Sequence, residues 1–478
     1  MGFTEMTFLF VFMPVTIITY LIIDKLFHNN VVNNAVLVFF SFLFYFWSGK
    51  ETLVVFAATG ILVFFAGNAI ESAKEDSTEK QTRKKCVVIS VTLLASLLIF
   101  YKYIALISNW IRSIGDIGYI HLGSVIAPIG ISFVVFEAIS YLIDIYRCDA
   151  KAGTLLECFT FLSLFPKLVS GPIVLWKDFQ PQLRERKTSG ETIAQGIDRI
   201  IIGYAKKAII ADTFATQIIN INGALTVSGV DVQTMWLRAV LYFFQLYFDF
   251  AGYSDIAIGL CDIFGFSIKE NFHYPYLSQS ISEFWRRWHI SLGAWFREYI
   301  YIPMGGNRKG NVYFHLFIVF LLTGIWHGTG IQFWVWGGIH GILVVLERSL
   351  RNKRWYQKIP GFIKWGCTVV CVFFAWIVFM SKDLASAGQS IRAMFIPMTT
   401  DPVNFTWQFY LSRRIGLFLI IAILGQMTGV DVINRHIQKL TEKNIGRVVK
   451  RVILLSLFIV DILYIVSSTY RPFIYFQF

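Results

Sequence analysis

Two histidines stand where an acid–base group could act: His289 within EFWRRWHISLGAWFREY (283–299) and His327 within LLTGIWHGTG (321–330). An imidazole, with an ordinary pKa of about 6.5, can take a proton from a hydroxyl and return it to a leaving thiolate, which is the proton traffic of an acyl transfer. Each residue also fits a structural role, its ring satisfied inside a packed bundle. Gly324, Gly328 and Gly330 flank His327 and permit a bend or the close approach of a ligand.

The segment from Glu283 to Tyr299 has helical period, with Trp285, Trp288, Leu292, Trp295 and Tyr299 on one apolar stripe and His289 on its flank. A single helix is therefore expected there, with Glu283 pairing one turn on with Arg287 and with Arg286 and Arg297 projecting together. One reading makes these arginines a face that snorkels to lipid headgroups. The other gathers Arg286, Arg287 and Arg297 with Arg308 and Lys309 of GGNRKG into a cationic mouth for the phosphates of an acyl donor such as coenzyme A. Trp326, next to His327, is grouped with this donor-binding set.

Asp249, Tyr253, Ser254 and Asp255 in YFDFAGYSDIAIGL put two carboxylates and two hydroxyls on an apolar helix, and a buried carboxylate needs a partner. The expectation is a bundling network with one of the arginines; the alternative is a wall of the acceptor tunnel or a group that orients a histidine. His273, His315 and His340 are expected to pack or hydrogen-bond. No HxxxH or HExxH spacing suggests a metal, and no GxSxG elbow, P-loop or dinucleotide fingerprint presents itself.

The elements that hold these residues follow from composition. Of 478 residues, 56% are hydrophobic, 17% aromatic and only 15% charged, so the apolar surface needs lipid to cover it. The formal charge is +13, but Lys and Arg gather in short loops between apolar runs, which suits a membrane lipid surface and makes nucleic acid a poor partner. The six cysteines lack paired spacing and are expected to be reduced and mostly packed. The N-terminal apolar run has no basic leader or cleavage site and is expected to be a retained first span.

Apolar runs near 6–23, 34–47, 52–70, 86–109 and 123–146 are expected to span. Pro166, Lys167, Gly171 and Pro172 within 158–176 suit a re-entrant or broken helix, and 196–218 suits an amphipathic helix at the interface or against the bundle. A long apolar segment at 233–265, two pieces at 311–326 and 331–347 that meet at a glycine-flanked break, and spans near 361–380, 410–428 and 452–469 complete the series. The basic loops 348–364 and 435–451 are expected to be cytoplasmic and 381–409 external, which places the N-terminus outside and gives about eleven spans. The fold class expected is an all-α, polytopic integral membrane protein, a single membrane domain over 1–478.

ENFHYPYLSQSISEFWRRWHISLGAWFREYIYIPMGGNRKG and LLTGIWHGTGIQFWVWGGIHGILVVLER resemble the alginate O-acetyltransferase branch of the membrane-bound O-acyltransferases. The likeness extends through APIGISFVVFEAISYLIDIYR, FPKLVSGPIV and DFAGYSDIAIG to the closing PFIYFQF, nearly the whole chain. It implies a helical core pierced by a tunnel, a catalytic core at about 127–347, and an essential histidine in the WHG motif, here His327, supported by His289 of RRWHIS. It implies acetyl-coenzyme A as a cytoplasmic donor and no metal. It also implies an SGNH-hydrolase-like external partner, a polysaccharide acceptor and a bacterial inner membrane location.

Glu137, Lys167, Gly293, Glu298 and Met304 stand where the alginate-type pattern would have Gln, Gln, Ser, Asp and Leu. The branch that transfers D-alanine to teichoic acids shares similar histidine motifs and is the alternative acceptor chemistry. A transporter, or a membrane scaffold for a secreted transferase, is the alternative from another class.

Overall fold

The computed structural model describes residues 2–73, 77–114, 126–227, 229–398, 405–426 and 444–467. Every regular element among them is helical. Four stretches, Phe8–Phe27, Asn30–Ser72, Lys80–Ile104 and Gly361–Met380, are long and apolar enough to cross a membrane. Side chains such as Val54 and Phe362 are about three-quarters exposed, at 76% and 74%. Apolar groups of that size in the open are what a lipid-facing surface presents.

The chain divides into two compact units, Met1–Arg199 with Ala257–Lys269, and Ile200–Ile256 with Glu270–Phe478. The first unit opens with a π-helical turn, Phe8–Phe12, leading into α1 (Met13–Phe27). It continues through α2 (Asn30–Gly49), α3 (Leu53–Ser72), α4 (Ser77–Ile114) and α5 (Ile131–Tyr146). The expected span at 123–146 thus starts later, because Gly130 in the left-handed region (φ 66°) sets the helix start; residues 123–125 lie outside the described set.

The expected break at 158–176 is present. Thr154 and Glu157 form a reciprocal capping box that starts α6 (Leu155–Ser163), and Pro166 follows in the short α7 (Phe165–Leu168). The irregular backbone beyond it is satisfied by side chains of α5. Ser140 Oγ accepts from the Trp176 amide at 2.8 Å, and an Asp144 oxygen accepts from the Lys177 amide at 3.0 Å. Lys167 forms a buried ion pair with Glu137 and also donates to the Phe161 carbonyl. Two of the positions that depart from the alginate-type pattern are therefore partners. The unit also contains α8 (Trp176–Phe179) and α9 (Gln182–Glu185).

In the chain, α10 (Gly190–Tyr204) runs into a π-helical segment, Ala205–Ala211, then α11 (Asp212–Val227) and the 32-residue α12 (Val232–Ile263). In the second unit the Gly203 and Gly252 backbones pass closely, a Cβ at either lying 2.8 Å from the other's carbonyl oxygen. That approach lets Lys207 reach Asp249 at 2.6 Å and Asp212 at 2.7 Å, and lets Lys206 reach Asp255 at 2.6 Å. The expected carboxylate network exists, with these lysines as its cations where an arginine was expected. The π-helical offset directs both lysine side chains at α12, so 196–218 packs as part of the bundle.

The second unit continues through α13 (Ile281–Arg287) and α14 (Ile290–Phe296), which meet at Trp288 and His289, and α14 runs on into a π-helical turn at Arg297–Tyr301. After it come α15 (Val312–His327), α16 (Ile331–Leu350), α17 (Arg354–Gln357), α18 (Gly361–Met380), α19 (Leu384–Ala393), α20 (Trp407–Tyr410) and α21 (Arg413–Leu424). The last described helix is Asn444–Ser467, which begins inside the loop expected at 435–451. Its first turns carry Arg447, Lys450 and Arg451. The rest of that loop to 443, part of 381–409, the end of the 452–469 span and the closing PFIYFQF lie outside the described residues. Cys158 and Cys261 are buried as expected, whereas Cys148 and Cys367 are exposed; all six are free thiols.

Candidate active site

The helix expected over Glu283–Tyr299 is broken at Trp288 and His289. Ser280 caps α13 by accepting from the Glu283 amide at 3.1 Å, and Glu283 pairs with Arg287 at 2.7 Å as expected. His289 then takes a left-handed conformation (φ 45°) and becomes the first cap of α14. An imidazole residue in that region is uncommon and is held there by its surroundings. The irregular stretch at Asn271–His273 supplies the hold: the Ile290 amide donates to the Asn271 carbonyl at 3.0 Å, and the His273 amide donates to the Arg287 carbonyl at 2.9 Å. The stripe residues Trp288, Leu292, Trp295 and Tyr299 are nevertheless all buried.

The Asn271 side chain settles the state of His289. Its oxygen accepts from the Ser291 amide at 3.2 Å and the Ser291 hydroxyl at 2.9 Å, so it faces His289 as an acceptor. His289 Nδ1, 3.2 Å away, is then the protonated nitrogen, and Nε2 carries the lone pair of the neutral ring. The Asn271 amide group donates to Ser254 Oγ at 3.3 Å, which ties this constellation to α12. Sequence reasoning passed over Asn271 and Ser291; the available signal was an amide two residues before His273 in the same polar, aromatic run.

His327 ends α15 at the break that leads into α16. The two helices meet at Gly324 and Gly337, where a Cβ on Gly324 would lie 2.3 Å from the Phe333 carbonyl oxygen. His327 is buried, its ring edge-on to Trp336 at 5.1 Å and to Phe379 at 5.2 Å. Trp326 stands between the two histidines, with ring centroids 4.6 Å from His327 and 6.4 Å from His289. His340 accepts from Trp285 Nε1 at 3.2 Å, and His315 Nδ1 lies 3.1 Å from the Gly306 carbonyl oxygen. His273 is exposed.

A cavity of about 400 Å³ runs beside this constellation, lined by Trp285, Arg286, Gly293, Arg297 and Tyr301, by Thr323 of α15 and by Arg348 of α16. It brings Arg286 and Arg297 together, as their spacing required. Arg287 is turned to Glu283, and Arg308 lies exposed in the 305–310 turn; neither lines the cavity. Arg348 is an addition that sequence reasoning placed only among loop positives. Asn307 fixes it at the rim, its side-chain oxygen accepting from Arg348 Nη2 at 3.0 Å and from the Tyr301 hydroxyl at 2.8 Å. Thr323 stands one helical turn, about 6 Å, before His327 on the same face of α15. The arrangement is a largely apolar slot whose wall carries three arginines and, one helical turn before His327, Thr323.

The sequence profile of the MBOAT family, the membrane-bound O-acyltransferases, matches residues 41–386. The chain belongs to this family. A Pseudomonas putida protein described as a probable alginate O-acetylase AlgI is 34% identical over 506 residues, covering 100% of both chains. The peptidoglycan O-acetyltransferase of Helicobacter pylori is 32% identical over 82% of this chain and 79% of its own. The teichoic acid D-alanyltransferase of Bacillus subtilis is 30% identical over 50% of this chain and 63% of its own. This MBOAT protein is thus a membrane O-acyltransferase, and both histidines, the three cavity arginines and Asn271 lie inside the matched region.

Proposed function

We propose that the chain moves acetyl groups from cytoplasmic acetyl-coenzyme A across the membrane for O-acetylation of a cell-surface or exported polysaccharide. The observation that carries this reading is the cavity that joins Arg286, Arg297 and Arg348 to Thr323, one turn from His327. Guanidinium groups match the phosphates of coenzyme A, and an apolar slot suits the pantetheine arm and thioester. Arg308 and Lys309 add positive charge near that mouth, Arg287 contributes less because Glu283 offsets its charge, and Trp326 packs beside the acyl group. Membrane O-acetylation relatives that align over most or all of the chain favour acetyl over D-alanyl, since the D-alanyltransferase alignment covers half.

In the reaction His327 takes the proton of an acceptor hydroxyl as its oxygen attacks the thioester carbon. The C–S bond then breaks, and the proton passes to the departing thiolate to give free coenzyme A and the acetyl ester. His289 offers a lone pair at Nε2, so its neutral form accepts a hydrogen bond. It therefore accepts from a donor other than the attacking hydroxyl, whose one hydrogen goes to His327, such as an amide N–H of the pantetheine arm; meeting the oxyanion directly would require the protonated ring. The acceptor belongs to an SGNH-hydrolase-like partner outside the membrane or to the sugar itself.

The whole chain works as one membrane domain with its catalytic core at about 127–347. It spans a bacterial inner membrane about eleven times, with the N-terminus outside. The reading is tested in cells lacking the native gene: wild-type protein restores O-acetyl groups to surface glycan and His327→Ala does not. Restoration by a well-expressed His327→Ala protein would instead favour a scaffold for a separate transferase.

A further inference from the structure

The second unit contains another cavity, of about 460 Å³, well away in sequence from the histidine motifs. It is lined by Asp212, Thr213 and Thr216 of α11, Arg414 of α21, and Tyr464 and Ser467 at the end of the last described helix. Its volume falls in the range of small-molecule sites, roughly 300–1,000 Å³. Its chemistry differs from that of the arginine-lined slot: a carboxylate, aliphatic hydroxyls, a phenol and one guanidinium converge on it.

The carboxylate is built in. Asp212 is only 4% exposed and shares the Lys207 ammonium with Asp249. The Asp212 carboxylate on the cavity wall accepts hydrogen bonds, so a ligand that donates them is favoured there. Thr216 and Ser467 already donate to the Asp212 and Tyr464 carbonyls, at 2.9 Å and 3.3 Å, and so offer acceptor lone pairs, Thr213 can donate or accept, and Arg414 stands exposed as a donor. A ring bearing vicinal hydroxyls, which both donate and accept, matches this set; an alkyl chain does not.

Position within the unit agrees. Arg348 of the first cavity lies just before α18, whereas Arg414 lies just after the loop that follows α18, in the first turn of α21. Because α18 is long enough to cross a membrane, the two cavities lie toward opposite ends of the helices. If the donor enters at the arginine end, the second cavity faces the acceptor side.

We infer that the cavity formed by Asp212, Thr213, Thr216, Arg414, Tyr464 and Ser467 binds a sugar unit of the acceptor, holding the glycan beside the enzyme during transfer. This rests on the acyl-transfer reading above. The test uses full-length protein in lipid nanodiscs with two probes, a glucose oligomer and a uronic acid oligomer, followed by saturation-transfer NMR and titration calorimetry. The wild type should bind at least one of them. Thr216→Trp, which fills the cavity, should weaken that binding at least tenfold, and Arg414→Gln at the exposed rim should weaken it several-fold. In both variants KM for acetyl-coenzyme A should stay within twofold.

Thermal melting checks that Thr216→Trp is folded, and Arg414→Gln carries the test if it is not. Equal binding by wild type and both variants, or no binding of either oligomer by the wild type, overturns the inference. Acetyl-coenzyme A consumption and its loss in His327→Ala are measured separately, so failure of the acyl-transfer reading is distinguishable from failure of this site.

Discussion

At the scale of single residues, the account depends on which nitrogen of His289 carries the proton. Asn271 fixes that choice through an oxygen already committed to two Ser291 donors. Asn271→Ala should therefore reduce kcat about tenfold or more with KM for acetyl-coenzyme A unchanged, because it frees the tautomer without touching the donor slot. An unchanged kcat would remove His289 from the mechanism. The arginines separate in the same assay. Arg286→Ala, Arg297→Ala or Arg348→Ala should each raise KM for acetyl-coenzyme A about tenfold, near 1.4 kcal/mol. Arg287→Ala, whose guanidinium is held by Glu283, should do much less. Both histidines and two of these arginines were legible in the sequence. Asn271 was not, because it lies 18 residues from its imidazole and only a tertiary contact reveals it.

At the scale of elements, apolar runs forecast the helices well, since a lipid-covered span must satisfy its own backbone and shows this as uninterrupted hydrophobicity. The glycine-flanked break between α15 and α16 was visible for the same reason. Period alone failed at 283–299, where Trp288, Leu292, Trp295 and Tyr299 are buried yet the helix turns at His289. The backbone of Asn271–His273 competes for the amides and carbonyls at that point, and helical period records burial, not continuity. The α15–α16 hairpin is the element that sets the height of His327. Gly324→Val should therefore cost about 1–3 kcal/mol and abolish transfer, since any side chain there meets the Phe333 carbonyl. A thermal melt and the transfer assay read both effects; a fully active Gly324→Val protein would show that the hairpin can open without moving the site.

At the scale of the whole molecule, each unit carries a buried ionic group that the sequence showed as charges without showing their partners. In the first unit Lys167 and Glu137 pair on α7 and α5. Either Glu137→Gln or Lys167→Gln alone should destabilise by about 3–5 kcal/mol, and the double change should recover most of the loss, because removing one partner strands the other charge. Melting temperatures of the four proteins decide this, and additive losses would argue against a coupled pair. In the second unit Lys207 was missed as the partner of Asp249 because arginine was the expected cation, yet only the π-helical segment at Ala205–Ala211 brings a lysine into reach. The central claim joins these parts: a donor slot on one side of His327 and a hydroxyl on the other. Purified protein supplied with radiolabelled acetyl-coenzyme A and its acceptor tests it most directly. The account predicts labelled acetyl ester from the wild type and none from a folded His327→Ala variant; undiminished transfer by that variant would contradict it.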